Sequence, residues 1–164
     1  MLPILRLCLI VLAGLLSGCG FHPRAALRLN PAVERLRIES LDQFSVLPQE
    51  VGRALIRAGV EVVDAGDGDS SVLRILSDAQ ETRPLTFSGA ARVQEFLVVH
   101  RVEIEVLDAK GKPLLAKVLI ERERDYRFDE TLALGAAAED ELARNELRRD
   151  MVQAILRRVE AVGE

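Results

Sequence analysis

Tryptophan is absent and aromatic residues make up only 4% of the chain, which argues against a sugar-binding platform of stacked rings. Two histidines and two cysteines leave little for nucleophilic or metal chemistry. Cys8 lies in an apolar N-terminal segment and Cys19 closes that segment. If the segment is cut between them, no free thiol remains for a disulfide, a zinc site or a nucleophile. His22 lies in a Pro-flanked stretch that cannot preorganise a site, and His100 falls on the apolar face of an alternating run. His100 therefore reads as a satisfied structural histidine rather than a general base. There is no Gly-x-Ser-x-Gly, no Gly-rich phosphate loop and no histidine pair at ligand spacing. The Asp64, Asp67 and Asp69 run, interleaved with Gly66 and Gly68, lacks the ligand spacing and closing glutamate of an EF-hand. It reads as an Asp/Gly turn. No catalytic residue, cofactor or metal is expected.

Long apolar runs are also missing. The N-terminal apolar stretch Leu7–Leu16 is half the roughly 20 residues that a membrane-crossing helix needs. Followed by Leu16-Ser17-Gly18-Cys19, it has the form of an export signal with a small-residue cleavage site. A cysteine directly after the cut can carry acyl chains. Each buried methylene contributes about 0.8 kcal/mol, so two or more chains anchor a protein firmly without a helix. Residues 1–18 are thus expected to be a lipoprotein signal peptide, Cys19 the lipidation site, and 19–32 a lipidated tether. Gly20 stands where an aspartate would resemble an inner-membrane retention signal, so the expected destination is the outer membrane.

Positive charge is in deficit. The full chain carries 22 basic and 26 acidic residues, a net charge of −4, which argues against a general nucleic-acid binder. Residues 33–164 are long enough for one globular domain with its own core.

What is there is patterned. Residues 33–39 read as a strand. Leu47, Val51, Ala54, Leu55 and Ala58 recur at helical steps, with Pro48 in the first turn and Gly59 as the stop. Residues 60–63 form a short extended piece, and 71–80 a second strand with Leu73, Ile75 and Ser77 on one face. A loop with Pro84, Ser88 and Gly89 follows. Residues 92–108 alternate most cleanly, with Phe96, Val98, His100, Val102, Ile104 and Val106 on one face. Ala109–Lys112 reads as a hairpin turn, and 113–127 as the return strand with Leu114, Ala116, Val118 and Ile120 inward. Residues 138–161 carry the stripe Ala143, Leu147, Met151, Ala154 and Ile155 of a long helix. The fold class is α+β, a two-layer sandwich of two helices on one face of a mainly antiparallel sheet.

The candidate binding residues are arginines. Arg122 and Arg124 lie on the same side of their strand as Val118 and Ile120. Such inward cations pair with a helix carboxylate, protect an edge, or meet a partner or an anionic ligand. Arg83 and Arg92 flank the loop holding Pro84, Phe87 and Gly89, a protrusion with an apolar centre and basic edges.

The run Leu16-Ser17-Gly18-Cys19-Gly20-Phe21-His22-Pro23-Arg24 resembles the lipobox and early mature region of the lipopolysaccharide-assembly lipoprotein family LptE. Arg53-Ala54-Leu55, Gly59-Val60-Glu61, Gln94-Glu95-Phe96, Ala116-Lys117-Val118, Leu132-Ala133, Glu146 and Met151 extend the likeness along the chain. The resemblance implies two helices on a four-stranded sheet and a non-enzymatic role. It implies a heterodimer with the outer-membrane β-barrel LptD, whose lumen the domain plugs and whose assembly it assists. It also implies contact with lipopolysaccharide during insertion into the outer leaflet. Family members can carry a basic residue in the loop before the last helix. Residues 129–139 hold none here, which throws ligand contact onto Arg83, Arg92, Arg122 and Arg124. The alternative from another class is a periplasmic lipid-binding lipoprotein auxiliary to an ABC-type transporter, for which a deep apolar pocket is the expected sign.

Overall fold

A computed structural model of the chain describes residues 30–162, apart from 65, 67, 88, 90–92 and 128–132. The signal segment, Cys19, the tether up to residue 29, Asp67 and Arg92 therefore lie outside the described residues. A 3-10 turn, Pro31–Val33, leads into β1 (Arg35–Ser40), α1 (Leu47–Arg57), β2 (Glu61–Val63), β3 (Ser71–Phe87), β4 (Val93–Leu107), β5 (Pro113–Arg127) and α2 (Ala133–Glu160).

The sheet has five strands in the order β2-β1-β3-β4-β5. The expected four strands are corrected to five, and the mainly antiparallel sheet is mixed. The short piece after Gly59 pairs with β1 in parallel, Arg35 opposite Glu61. The reason is connectivity: α1 carries the chain back to the starting end of β1, so the strand after it runs in the same direction. β1 also pairs in parallel with β3, and β3, β4 and β5 form an antiparallel meander.

α1 forms where its stripe predicts. Pro48 occupies the first turn and Gly59 adopts φ +97° just past the end, a conformation other residues take up only at a cost. Ser45 Oγ accepts the Leu47 N–H at 3.0 Å, satisfying one of the helix's unpaired donors. Leu47, Val51, Ala54 and Leu55 are buried against the sheet. α2 begins at Ala133, ahead of the expected residue 138. Leu36, Leu73, Ile75, Val102 and Ile104 from the sheet meet Met151, Ile155 and Val159 from α2 in one core. Each such side chain contributes about 1.5–3 kcal/mol by leaving water. Among the described residues no helix is long and apolar enough to cross a membrane.

Gly52 is buried within α1, and a Cβ there would lie 3.3 Å from Ile38 Cδ1. Alanine gains about 0.5–1 kcal/mol of helix stability, and the flexible end of Ile38 can give way by the little required. Gly52→Ala is therefore expected to leave the denaturation midpoint within about 1 kcal/mol of wild type, and Gly52→Val to lower it clearly.

Two features depart from simple alternation. β3 continues past Pro84 to Phe87, where a loop was expected. β1 ends at Ser40, opposite Ile75, so beyond that point β3 has a partner on one side only and a residue without N–H is tolerated. The register also slips between Ile75 and Ser77 on β3, and between Leu115 and Val118 on β5, where it pairs with Val106 and Ile104. Each slip inserts a residue and exchanges the faces. Ser77 and Ala116, expected inward, are exposed, while Asp78 and Leu115 turn toward the helices' side.

Candidate functional site

The bulge after Ile75 has a chemical consequence. It turns Asp78, Gln80 and Thr82 of β3 toward the layer that holds α2, where β4 presents His100. His100 is 1% exposed and Nε2 donates to Asp78 Oδ1 at 2.7 Å. Asp78 Oδ2 accepts from Ser45 Oγ at 2.6 Å. The Gln80 amide nitrogen lies 3.2 Å from His100 Nδ1 and 3.4 Å from the Arg144 carbonyl, so its two hydrogens serve both acceptors. Further along, Thr82 Oγ1 donates to Asp140 Oδ1 at 2.9 Å, and Arg144 Nε donates to Asp140 Oδ2 at 2.6 Å. Tyr126 OH completes the set at 3.2 Å from Asp140 Oδ1 and its ring stacks on Phe96.

A serine, an aspartate and a histidine are thus connected, yet in the wrong order for acyl transfer. The carboxylate stands between the hydroxyl and the imidazole. A nucleophile needs the imidazole in the middle to take its proton. Ser45 donates to Asp78 and caps α1, and both His100 nitrogens are engaged. The cluster is a polar clasp joining α1, β3, β4 and α2.

Burial opposes ionisation of Asp78, but the His100 and Ser45 hydrogen bonds outweigh it and hold the carboxyl below its ordinary 3.8. Asp140 is likewise lowered: burial opposes, and Arg144 and Thr82 overcome it. Burial first, then the Asp140 charge, raises the Tyr126 hydroxyl. A carboxyl whose folded pKa lies below its unfolded value stabilises the fold fully above the unfolded value. That contribution is lost as pH falls through the folded value. Urea stability is therefore expected to be flat from pH 7 down to about 4 with respect to these two groups and to fall below it. Asp78→Asn and Asp140→Asn should each make the acid limb shallower than in the wild type. An acid limb of unchanged steepness in both variants would contradict this account.

The four arginines singled out by sequence do not form one site. Arg83 is exposed on β3, opposite Leu97 and on the sheet's open face, with no carboxylate partner among the described residues. Arg92 lies outside the described residues. Arg124, on the helix side, is bound to Glu146 of α2 and lies 3.9 Å from Asp150. It is a strand–helix tie. Arg122 alone opens onto a cavity. Its Nη1 donates to the Glu121 carbonyl at 2.9 Å, and it lines a cleft of about 350 Å³ between β5 and the end of α2. Arg157 and Arg158 line the same cleft. Sequence reading placed these two on the solvated side of the last helix. The signal that could have marked them is a paired arginine between small residues, Ala154 and Ala161, beside a strand with an inward arginine.

A second cleft, of about 450 Å³, lies between α1 and α2 and is lined by Arg53, Arg57 and Arg149 together with Glu50 and Asp150. Glu50 is engaged by Arg148 at 3.2 Å. The open sheet face carries ion-pair ladders instead. Arg74 bridges Glu39 and Glu105, and Arg101 bridges Glu81 and Glu121.

The family model LptE, described as lipopolysaccharide-assembly, matches residues 33–159. An LPS-assembly lipoprotein LptE from Photorhabdus laumondii is 26% identical over 146 residues, covering 87% of this chain and 78% of that protein. One from Yersinia pestis is 27% identical over 146 residues, covering 87% and 69%. Among solved structures, lipoprotein B from Nitrosomonas europaea superposes with a TM-score of 0.74 at 29% identity, covering 87% of this chain and 91% of that one. Rare lipoprotein B from Shewanella oneidensis gives 0.66 at 30% identity, covering 75% and 91%.

Proposed function

This chain belongs to the LptE lipopolysaccharide-assembly family, and from that premise we propose that it is the lipoprotein subunit of the outer-membrane lipopolysaccharide translocon. In this reading Cys19 carries the lipid and the domain plugs the lumen of the LptD β-barrel. It assists the barrel's assembly and contacts lipopolysaccharide on its way to the outer leaflet. The observation that carries the reading is the family match over residues 33–159, nearly the whole of the described domain. The structure supports it in kind. The core is filled, a histidine–aspartate pair is spent on holding elements together, and the exterior is charged. A plug needs a rigid body and a polar surface of large area, and both are present.

Lipopolysaccharide contact falls to Arg83, Arg92 and Arg122 in this reading, since Arg124 is held by two α2 carboxylates. The lipid-carrier alternative has less support. It calls for a deep apolar pocket, and the two clefts described here are lined by arginines. Depletion of the protein from its own cells tests the proposal. Lipopolysaccharide reaching the cell surface, and the amount of correctly folded barrel, are both expected to fall. Unchanged surface lipopolysaccharide after depletion would contradict it.

A further inference from the structure

We infer that the cleft between β5 and the last turns of α2 binds the phosphate of a lipid headgroup through Arg122, Arg157 and Arg158. The inference rests on the function proposed above for its choice of ligand, a phosphorylated glycolipid. It rests on this chain's own geometry for the site.

Three guanidinium groups line a cavity of about 350 Å³. Among the described residues none of the three has a carboxylate partner. Arg122 has only a backbone carbonyl, that of Glu121. The single acidic residue lining the cleft, Glu121, is bound to Arg101. This contrasts with the rest of the β-sheet and helix surface. Arg74, Arg101, Arg124, Arg144 and Arg148 each hold a carboxylate. The chain as a whole is acidic, at net −4, so carboxylates are not scarce. Like charges gathered without counterions repel one another, and an anion relieves that repulsion. Arginine presents donors in a planar fork that matches phosphate oxygens, so several together favour phosphate over a lone carboxylate.

The other walls point to a lipid rather than a free ion. Ile120 and Ala154 line the cleft without any polar side chain, and Ala161 leaves room where a longer residue would fill it. Leu119, also lining it, is exposed. A headgroup phosphate on the arginines would leave adjoining apolar parts of the same molecule against these residues. The α1–α2 cleft serves as the comparison. It also has three arginines, but Glu50 and Asp150 share its lining.

The test is a titration of the full chain, in detergent, with three probes: lipopolysaccharide, phosphatidylglycerol vesicles and inorganic pyrophosphate. The pair of changes Arg157→Gln and Arg158→Gln sits on exposed positions and should leave the fold intact. This variant is expected to weaken lipopolysaccharide binding by roughly tenfold or more. Arg53→Gln with Arg57→Gln removes the same charge from the other cleft and should stay within about twofold of wild type, which separates a site from general surface attraction. Equal weakening by both pairs, or no weakening by the first, would overturn the inference. Phosphatidylglycerol binding as tightly as lipopolysaccharide, with the same loss in the first pair, would uphold the phosphate cleft and assign its lipid to the surrounding leaflet. Tight pyrophosphate binding with no preference for either lipid would overturn the lipid assignment. Recovery of the LptD barrel with the protein is scored separately. A first-pair variant that binds lipopolysaccharide normally but still recovers the barrel rejects this cleft and leaves the translocon role standing. A wild type that recovers no barrel rejects the translocon role whatever the titration shows.

Discussion

Replacing His100 by alanine is expected to lower the stability of the domain by about 3 kcal/mol or more, read as a fall in Tm of about 10 °C. The imidazole is fully buried, and both its nitrogens have partners. Removing it leaves Asp78 Oδ1 without its donor in a setting where burial already opposes the charge. It also removes an acceptor from the Gln80 amide and opens a cavity between sheet and helix. The loss of a buried polar partner costs more than the hydrogen bond contributed, because the remaining group cannot return to water. Asp78→Ala should be comparably damaging, since it strands His100 and frees Ser45 from β3. The double variant should lose less than the sum of the two by at least about 1 kcal/mol, the mark of residues that act through one another. Additive losses, or a His100→Ala protein within about 1 kcal/mol of wild type, would show that the clasp does not hold these elements together.

The second large effect concerns the anchor. Cys19→Ala should abolish the mass increase from acylation. In cells producing more of the protein than its barrel can hold, the variant should move from the outer-membrane fraction to the soluble periplasm. A single acyl chain contributes only marginal affinity, and two or more make attachment persistent on the timescale of fractionation. The surface of the domain offers no substitute, because its exposed apolar residues, such as Leu41 and Phe44, are few and its sheet face is charged. Excess Cys19→Ala protein that still pellets with the outer membrane, or a wild type of unmodified mass, would contradict lipidation at this residue.

The parts of the fold legible in the sequence are those written as local period. β4 alternates because one face meets the helices, and α1 shows its stripe, its Pro48 start and its Gly59 stop. Gly111, with φ +81°, sits in the expected hairpin turn, where Asp108 Oδ1 accepts from both the Lys110 and Lys112 N–H at 2.8 Å. What was illegible depends on pairing. Residues 61–63 become a strand only because α1 returns the chain beside β1, a fact about connectivity that three residues cannot encode. The bulges after Ile75 and near Ala116 each hinge on one inserted residue, which leaves hydropathy unchanged yet exchanges the faces of everything beyond. That is why Ser77 and Ala116 face solvent, and why Asp78, Gln80 and Thr82 reach His100 and α2.

The candidate site divides along the same line. The parity of Arg122 and Arg124 with Val118 and Ile120 correctly places both on the helix side. It cannot tell that Arg124 meets Glu146 while Arg122 meets two further cations, because those neighbours come from a helix whose position against β5 is set by the core. Charged residues opposite an apolar stripe look alike in sequence whether they are solvated or line a cleft, so Arg157 and Arg158 passed as surface. Arg83 and Arg122 were grouped by charge alone, and the sheet separates them onto opposite faces.

The most direct measurement is a native pull-down from detergent-solubilised outer membrane, using the full chain tagged at its C-terminal end. The proposed role predicts recovery of one large β-barrel protein in equal amount with the bait, resistant to salt washing because the two share an extensive surface. Recovery of no barrel, or of an inner-membrane transporter in its place, would contradict the translocon role and favour the lipid-carrier reading.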